Sequence, residues 1–318
     1  MRYLITGGAG FIGSHLSDAL IARGDSVIVL DNLTTGNHAN IEHVLASPSF
    51  ELIEGSILDT HVLNEAVKSV DHVLHFAAAV GVFNIVDKPL ESLTTNIRGT
   101  ENILEAANRF HKEVLLASSS EVYGKNASGP LNEESDRIIG SPLKSRWSYA
   151  EAKAIDESMT QFYHLEQGLR TRIIRLFNTV GPRQVGHYGM VVPRFVSAAI
   201  HDEALTVYGS GDQSRCFCHV HDAIAGILAV IDSEDSIGDV FNIGNNHEVT
   251  IRELAERVVS LTNSKSEIKS LSYDEAYNPG FEDMQRRIPD ISKIERVLGW
   301  KPTLSLDQII NDVANHLR

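Results

Sequence analysis

Apolar positions fall into two textures that alternate from the first residues of the chain. Short unbroken apolar runs, "RYLIT", "SVIVL", "FELIE", "DHVLHFA", "EVLLAS" and "TRIIRLF", read as strands buried on both faces. Between them, apolar residues at helical spacing predict helices from about Phe11, over 62–68, over 90–110 and from about Ser148. Strands alternating with helices imply βαβ units, so the expected fold is α/β, a Rossmann-type doubly wound parallel sheet. After "FNTVGPR" the texture loosens into scattered glycines and prolines with short elements such as "ALTVYGSGDQ", "HEVTIRELAERVVSLT" and "TLSLDQIINDVANHL". This predicts a larger unit over 1–178 and a smaller C-terminal region over 179–318, with "FCHVHDAIAGILAVI" and "DVFNIG", around 215–245, returning to the first unit. The polar stretch 125–147 is long for a βα connection and reads as a candidate lid.

The opening "MRYLITGGAGFIGSHL" sets Gly7, Gly10 and Gly13 at G-x-x-G-x-x-G spacing, directly after a strand and before a helix. Glycine there permits a tight turn and close approach of backbone to a pyrophosphate, while the helix N-terminus supplies free N–H groups. Eighteen positions after Gly13, Asp31 ends the second strand. A carboxylate there can accept both ribose hydroxyl protons and repels a 2′-phosphate, which predicts NAD rather than NADP. The first unit is therefore expected to bind NAD, and the C-terminal region to bind substrate.

In "SYAEAK", Tyr149 and Lys153 stand four apart on a predicted helix and share a face. "LLASSSEVYG" ends the fifth strand at its carboxyl edge, where doubly wound sheets bind ligands, so Ser119, Tyr149 and Lys153 are expected to converge. Bringing a tyrosine from its ordinary pKa near 10 to about 7 takes roughly 4 kcal/mol of preference for the phenolate. The Lys153 ammonium and an oxidised nicotinamide ring carry the right charge for that. Tyr149 would then take a hydroxyl proton as the carbon is oxidised, with Ser119 holding the same oxygen.

With "HFAA", "TNIRGTENILEAA", "RLFNTVGPR" and "RRIPDISKIERVLGWKP" following in order, the chain resembles the extended short-chain dehydrogenase/reductase family. More narrowly, it resembles the nucleotide-sugar epimerase, dehydratase and decarboxylase branch. That resemblance implies NAD recycled within each turnover and a UDP-sugar oxidised first at its 4-hydroxyl. It assigns catalysis to Ser119, Tyr149, Lys153 and Glu121, and NAD contacts to Gly7, Gly10, Phe11, Ile12, Gly13, Asp31, Asn32, Ser56, Ile57, Phe76, Ala77, Ala78, Asn96, Tyr149 and Lys153. In "GSILD" the family commonly has an acid where Ser56 stands. Substrate contacts fall on Ser120, Asn178, Val192, Arg194, Tyr208, Arg215 and Arg287.

The dehydratases that act on dTDP-glucose resemble Thr-Asp-Glu where this chain has Ser119, Ser120 and Glu121, so loss of the Asp disfavours elimination of water. Ser-Glu also resembles UDP-glucuronate decarboxylases and GDP-mannose dehydratases. "AAAVGVFNIVDKP" resembles epimerases more, which makes a UDP-sugar 4-epimerase, of UDP-glucose or UDP-glucuronate, the expected activity and a decarboxylase the runner-up. An NAD-sensing protein without turnover would have no need of the Ser119, Tyr149 and Lys153 set.

Charge sharpens the picture. Acids outnumber bases 42 to 28 for a net charge of -14, which disfavours nucleic acid and anionic membrane surfaces as partners. A pyrophosphate must then be held by local arginines, for which Arg183, Arg194, Arg215, Arg286 and Arg287 are the candidates. Arg194 is also the candidate cation for a 6-carboxylate. The two cysteines, Cys216 and Cys218, are too close for an ordinary disulfide and point to a reducing compartment. Strand alternation is expected to turn them away from His219 and His221, so no metal is expected. Trp147 is expected to pack rather than to carry a sugar. With no leader-like segment after Met1, the expected location is the cytoplasm. The apolar helices over 90–110 and 148–165 suggest a homodimer through a four-helix interface.

Overall fold

The computed structural model describes residues 1–79, 88–186, 190–272, 284 and 286–318. The apolar runs become β1 (Arg2–Thr6), β2 (Ser26–Asp31), β3 (Phe50–Glu54), β4 (His72–His75), β5 (Glu113–Ser119) and β6 (Thr171–Leu176). Shorter strands follow: β7 (Thr179–Val180), β8 (Leu205–Tyr208), β9 (Ser214–Cys216), β10 (Cys218–His219), β11 (Val240–Ile243), β12 (Glu248–Thr250), β13 (Ile268–Leu271) and β14 (Arg286–Arg287). The described helices are α1 (Phe11–Ala22), α2 (Thr60–Lys68), α3 (Pro89–Phe110), α4 (Ser148–Gln167), α5 (Val191–Ile200), α6 (Val220–Asp232), α7 (Ile251–Thr262), α8 (Ser292–Leu298) and α9 (Leu306–Leu317). None is long and apolar enough to cross a membrane.

Seven strands form one parallel sheet in the order β11-β6-β5-β4-β1-β2-β3. Alternate residues of each strand feed opposite cores. Tyr3, Ile5, Val27 and Val29 pack with Leu16 and Leu20 of α1 and Ile224 and Ile227 of α6. On the other face, Leu4, Ile28 and Leu30 pack with Leu63 of α2 and Ile103 and Leu104 of α3. Burial on both faces is why the strands read as continuous apolar runs. A third core joins α5, β8, α7 and α9 through Phe195, Val207, Leu254 and Ile310. The strand order reverses at β1 and β4, and their carboxyl ends open the crevice where such sheets take ligands.

Two expectations are corrected. The stretch 125–147 is no free lid. Lys125 N–H bonds the Ile138 carbonyl (2.7 Å), Leu131 N–H bonds the Ile288 carbonyl (2.8 Å), and Glu133 accepts from Asn242 N–H (2.7 Å). The stretch "RCFCHVH" is not one strand: β9 pairs with β12 and β14, β10 pairs with β7, and His219 caps α6 by accepting from His221 N–H (3.0 Å). His219 is consequently fully buried.

Candidate active site

The first βα turn is built from backbone. Gly7 adopts φ +73°, and its N–H bonds the Leu30 carbonyl (2.9 Å) while its own carbonyl takes Gly10 N–H (3.1 Å). A Cβ on Gly7 would sit 2.8 Å from Ala77 N, and one on Gly13 would strike the Gly7 carbonyl. No side chain caps α1 at Gly10 and no acid lies in its first turn, so Phe11 and Ile12 begin a helix whose positive end is left for an anion. Asp31 accepts from Ala9 N–H (2.9 Å) and Leu33 N–H (2.8 Å), which ties its carboxylate to the glycine turn. An uncapped helix end beside a buried carboxylate is a donor and acceptor set that fits NAD.

The remaining cofactor candidates line the same edge in unequal ways. Phe76 and Ala77 donate backbone N–H to the Thr6 carbonyl (3.0 Å) and Thr6 Oγ1 (3.2 Å), and Ala78 follows half-buried. Ile57 is buried and its carbonyl accepts from Asn102 (3.0 Å), whereas Asn32 and Ser56 bond their own turns, at Thr34 N–H and Leu58 N–H (both 3.2 Å). Asn96 bonds the chain itself, accepting Ala79 N–H (2.7 Å) and donating to the Ala79 carbonyl (3.3 Å). It shapes the loop after β4.

Ser119 ends β5, its Oγ accepts Glu121 N–H (3.2 Å), and it hydrogen-bonds the Tyr149 phenol. Tyr149 and Lys153 project from the first two turns of α4. The expected acidification of Tyr149 does not come from the chain: burial first, then the charges of Glu121 and Asp156, push its pKa above the ordinary tyrosine value, and the Ser119 hydrogen bond opposes them. Lys153 is only 2% exposed and its Nζ lies 3.1 Å from Asp156 Oδ2.

Beside this pair, Glu121 takes two arginines. Arg146 Nη1 donates to Oε2 (2.6 Å), and Arg287 Nη1 donates to Oε1 (2.7 Å) and to Ser120 Oγ (3.1 Å). Two guanidinium groups hold Glu121 at about 2 despite its burial. Arg215 faces Arg287 across neighbouring strands, is also buried, and donates to the Ser214 carbonyl (2.8 Å). The other arginines lie elsewhere: Arg286 is paired with Glu248 (2.9 Å) at the surface and Arg183 with Asp18 (2.7 Å). Arg194 stacks on Tyr208 (4.4 Å) and Phe195 (5.1 Å) rather than joining Glu121. Val192 is buried in α5, and Asn178 donates to the Cys216 carbonyl (3.0 Å). Trp147 is fully buried, with Lys125 and Arg146 against its ring.

Sequence reasoning missed Arg146 and Asp156. Both stand three residues from a residue it chose, Arg146 before Tyr149 and Asp156 after Lys153, and i,i+3 spacing was the available signal. Among the described residues no cluster of three His, Cys, Asp or Glu side chains is placed to hold a metal. Burial raises both thiols, Cys216 to about 12.

The sequence profile of the GDP-mannose 4,6 dehydratase family matches residues 4–313. UDP-N-acetyl-alpha-D-glucosaminuronate decarboxylase of Bacillus cytotoxicus is 41% identical over 318 residues, covering 100% of this chain and 98% of that protein. UDP-glucuronic acid decarboxylase 1 of Danio rerio is 39% identical, covering 99% of this chain and 72% of that one. Among solved structures, UDP-glucuronic acid 4-epimerase of Bacillus cereus, in complex with UDP-glucuronic acid and NAD, superposes with a TM-score of 0.90 at 29% identity, over 100% of this chain and 99% of that one. The chain belongs to the GDP-mannose 4,6 dehydratase family, within the NAD-dependent nucleotide-sugar branch of the extended short-chain dehydrogenases/reductases.

Proposed function

We propose that the protein is an NAD-dependent decarboxylase of a UDP-uronic acid. The observation that carries this reading is the Arg287 guanidinium shared between Ser120 and Glu121, next to the Ser119 and Tyr149 pair. Among the described residues two arginines converge on this one carboxylate, and guanidinium groups gathered there suit a second carboxylate arriving on the sugar. The two decarboxylase relatives favour the runner-up over the 4-epimerase expected from sequence, and the segment that suggested an epimerase lies mostly outside the described residues.

When bound, NAD supplies oxidation at C4 and the matching reduction at the end of turnover. Tyr149 takes the 4-hydroxyl proton and Ser119 holds the oxygen. The oxidised sugar is a β-keto acid, so the C5–C6 bond can break with its electron pair moving onto the 4-oxygen as carbon dioxide leaves. Ser119 and Tyr149 stabilise the resulting oxyanion. Arg287 and Ser120 orient the carboxylate perpendicular to the carbonyl plane, where bond breaking is favoured. C5 then gains a solvent-derived proton, and Tyr149 returns its proton as the 4-hydroxyl is restored.

UDP-glucuronate and its 2-acetamido counterpart, incubated with the protein and NAD, are expected to give UDP-pentose products by NMR, and UDP-glucose none. A UDP-hexuronate 4-epimer as the sole product would restore the epimerase reading. We also propose a homodimer, because α4 exposes Ile155 (44%), Phe162 (55%) and Leu165 (64%) along one stretch beside α3. Sedimentation of a monomer at micromolar concentration would remove it.

A further inference from the structure

A buried carboxylate beside the catalytic lysine has no part in the chemistry derived so far. Asp156 is wholly inaccessible, its Oδ2 lies 3.1 Å from Lys153 Nζ, and neither oxygen has a well-formed hydrogen bond among the described residues. Such a group lowers stability, and removing it by evolution to an apolar residue would be simple, so its presence calls for a functional account.

A chain of polar groups leads away from it. Burial raises the pKa of Asp156, and the Lys153 ammonium and then the Thr100 hydroxyl of α3, which lies beside the carboxylate, oppose that by favouring its charged form. Thr100 Oγ1 is 3.2 Å from His75 Nε2, and His75 Nδ1 is 2.8 Å from Thr6 Oγ1, which accepts Ala77 N–H at 3.2 Å. His75 is fully buried and held neutral, its pKa near 3. A neutral imidazole has one donor and one acceptor. With the Thr100 hydroxyl turned to the carboxylate beside it, the backbone N–H at one end and the carboxylate at the other then fix every proton between them. Ala77 N–H donates to Thr6, Thr6 to His75 Nδ1, His75 Nε2–H to Thr100, and Thr100 to Asp156. Thr6 directly precedes Gly7, and Ala77 is the residue against which Gly7 packs.

We propose that Asp156, which follows Tyr149 and Lys153 on one face of α4, is a positioning residue for this reaction: through Thr100, His75 and Thr6 it ties the Lys153 ammonium to the floor of the glycine turn, and its negative charge acts on Tyr149. The inference rests on Tyr149 being the base. The charged groups around Asp156 are Lys153 and Glu157 on its own helix, with Glu157 already paired to Arg175 of β6 (2.8 Å). His75 of β4 faces it through Thr100, and Glu121 is the other acid acting on Tyr149.

The test is Asp156→Asn, which keeps shape and removes charge. Loss of a negative charge near Tyr149 should move the acid limb of the kcat profile down by about one pH unit. Thr100→Val should move it the same way by less, because an Asp156 robbed of a donor ionises less readily, and it carries the test if Asp156→Asn does not fold. A purely structural role would lower thermal stability and leave the limb in place, which would overturn the proposal. Ring-nitrogen NMR of His75 in the cofactor-free protein provides an independent readout: the proposal requires a proton on Nε2 and a bare Nδ1 near neutral pH, and the opposite tautomer contradicts it. Tyr149→Phe separates the two claims. Retained turnover there would refute the base assignment itself, whereas an inactive Tyr149→Phe with an unmoved limb in Asp156→Asn would refute only the role of Asp156.

Discussion

The glycine turn and the Glu121 cluster sit at the same sheet edge yet are made in opposite ways. The turn is backbone, assembled within the first thirteen residues, and its specificity comes from what is absent: no Cβ on Gly7 or Gly13 and no side-chain cap on α1. The cluster is side-chain charge gathered from Ser120, Glu121, Arg146 and Arg287, the last 166 positions from Glu121. On the proposed function, the first holds the cofactor and the second decides which reaction follows oxidation. Changes at the turn should therefore affect every substrate alike, while changes at the cluster should discriminate between them.

The largest effect should come where the two regions meet. Tyr149→Phe should lower turnover by on the order of 10³-fold, as removal of a positioned acid–base group does, with NAD binding and melting temperature unchanged. Arg287→Met should follow, lowering uronate affinity by about 10- to 100-fold, the equivalent of a charge-assisted hydrogen bond, while a neutral UDP-hexose is bound as before. Arg194→Ala sharpens the point: stacked on Tyr208, it should weaken both ligands equally, and a loss confined to the uronate would move the carboxylate site to Arg194. Gly13→Ala should destabilise the fold by about 1–3 kcal/mol through overpacking and weaken NAD in calorimetry with no preference among sugars.

The smallest effect at neutral pH concerns stability. His75 and His15 have folded pKa values near 3 and 4, below the ordinary 6.5, so they contribute stability that is complete above about 6.5 and lost as pH falls toward those values. Glu121 adds to this only below its ordinary 4.5, as pH falls toward about 2. Thermal midpoints should decline gradually from pH 6.5 downward, and His75→Gln should flatten that decline. A midpoint independent of pH across this range would show that these groups titrate alike in the folded and unfolded chain.

The same division decided what could be read from the chain. The seven-stranded sheet was legible because Tyr3, Leu4 and Ile5 must each be apolar when both faces are covered, and that demand is local. Gly7, Gly13 and Asp31 were legible for the same reason. The arginines were not. Five stood out by type, but only the pairing of β14 with β9 and the fold of the 120–123 turn decide that Arg287 reaches Glu121 while Arg286, its neighbour, turns to Glu248 at the surface. The stretch "CFCHVH" was misjudged because alternation assumed one strand across 216–221, and the chain instead changes sheets at Phe217 and starts a helix at Val220. Asp156 was overlooked because a helical acid is ordinarily solvated, and its burial depends on packing between α3 and α4.

On the proposed function, the cluster directs the 4-oxidised sugar to lose its carboxylate. UDP-glucuronate and UDP-2-acetamido-glucuronate labelled with carbon-13 at C6 follow that atom directly. With the protein and NAD, the C6 signal of at least one of them is expected to leave the sugar and appear as carbon dioxide and bicarbonate, in step with a UDP-pentose, and Tyr149→Phe is expected to abolish the transfer. A C6 label that stays on the sugar while C4 inverts would contradict it.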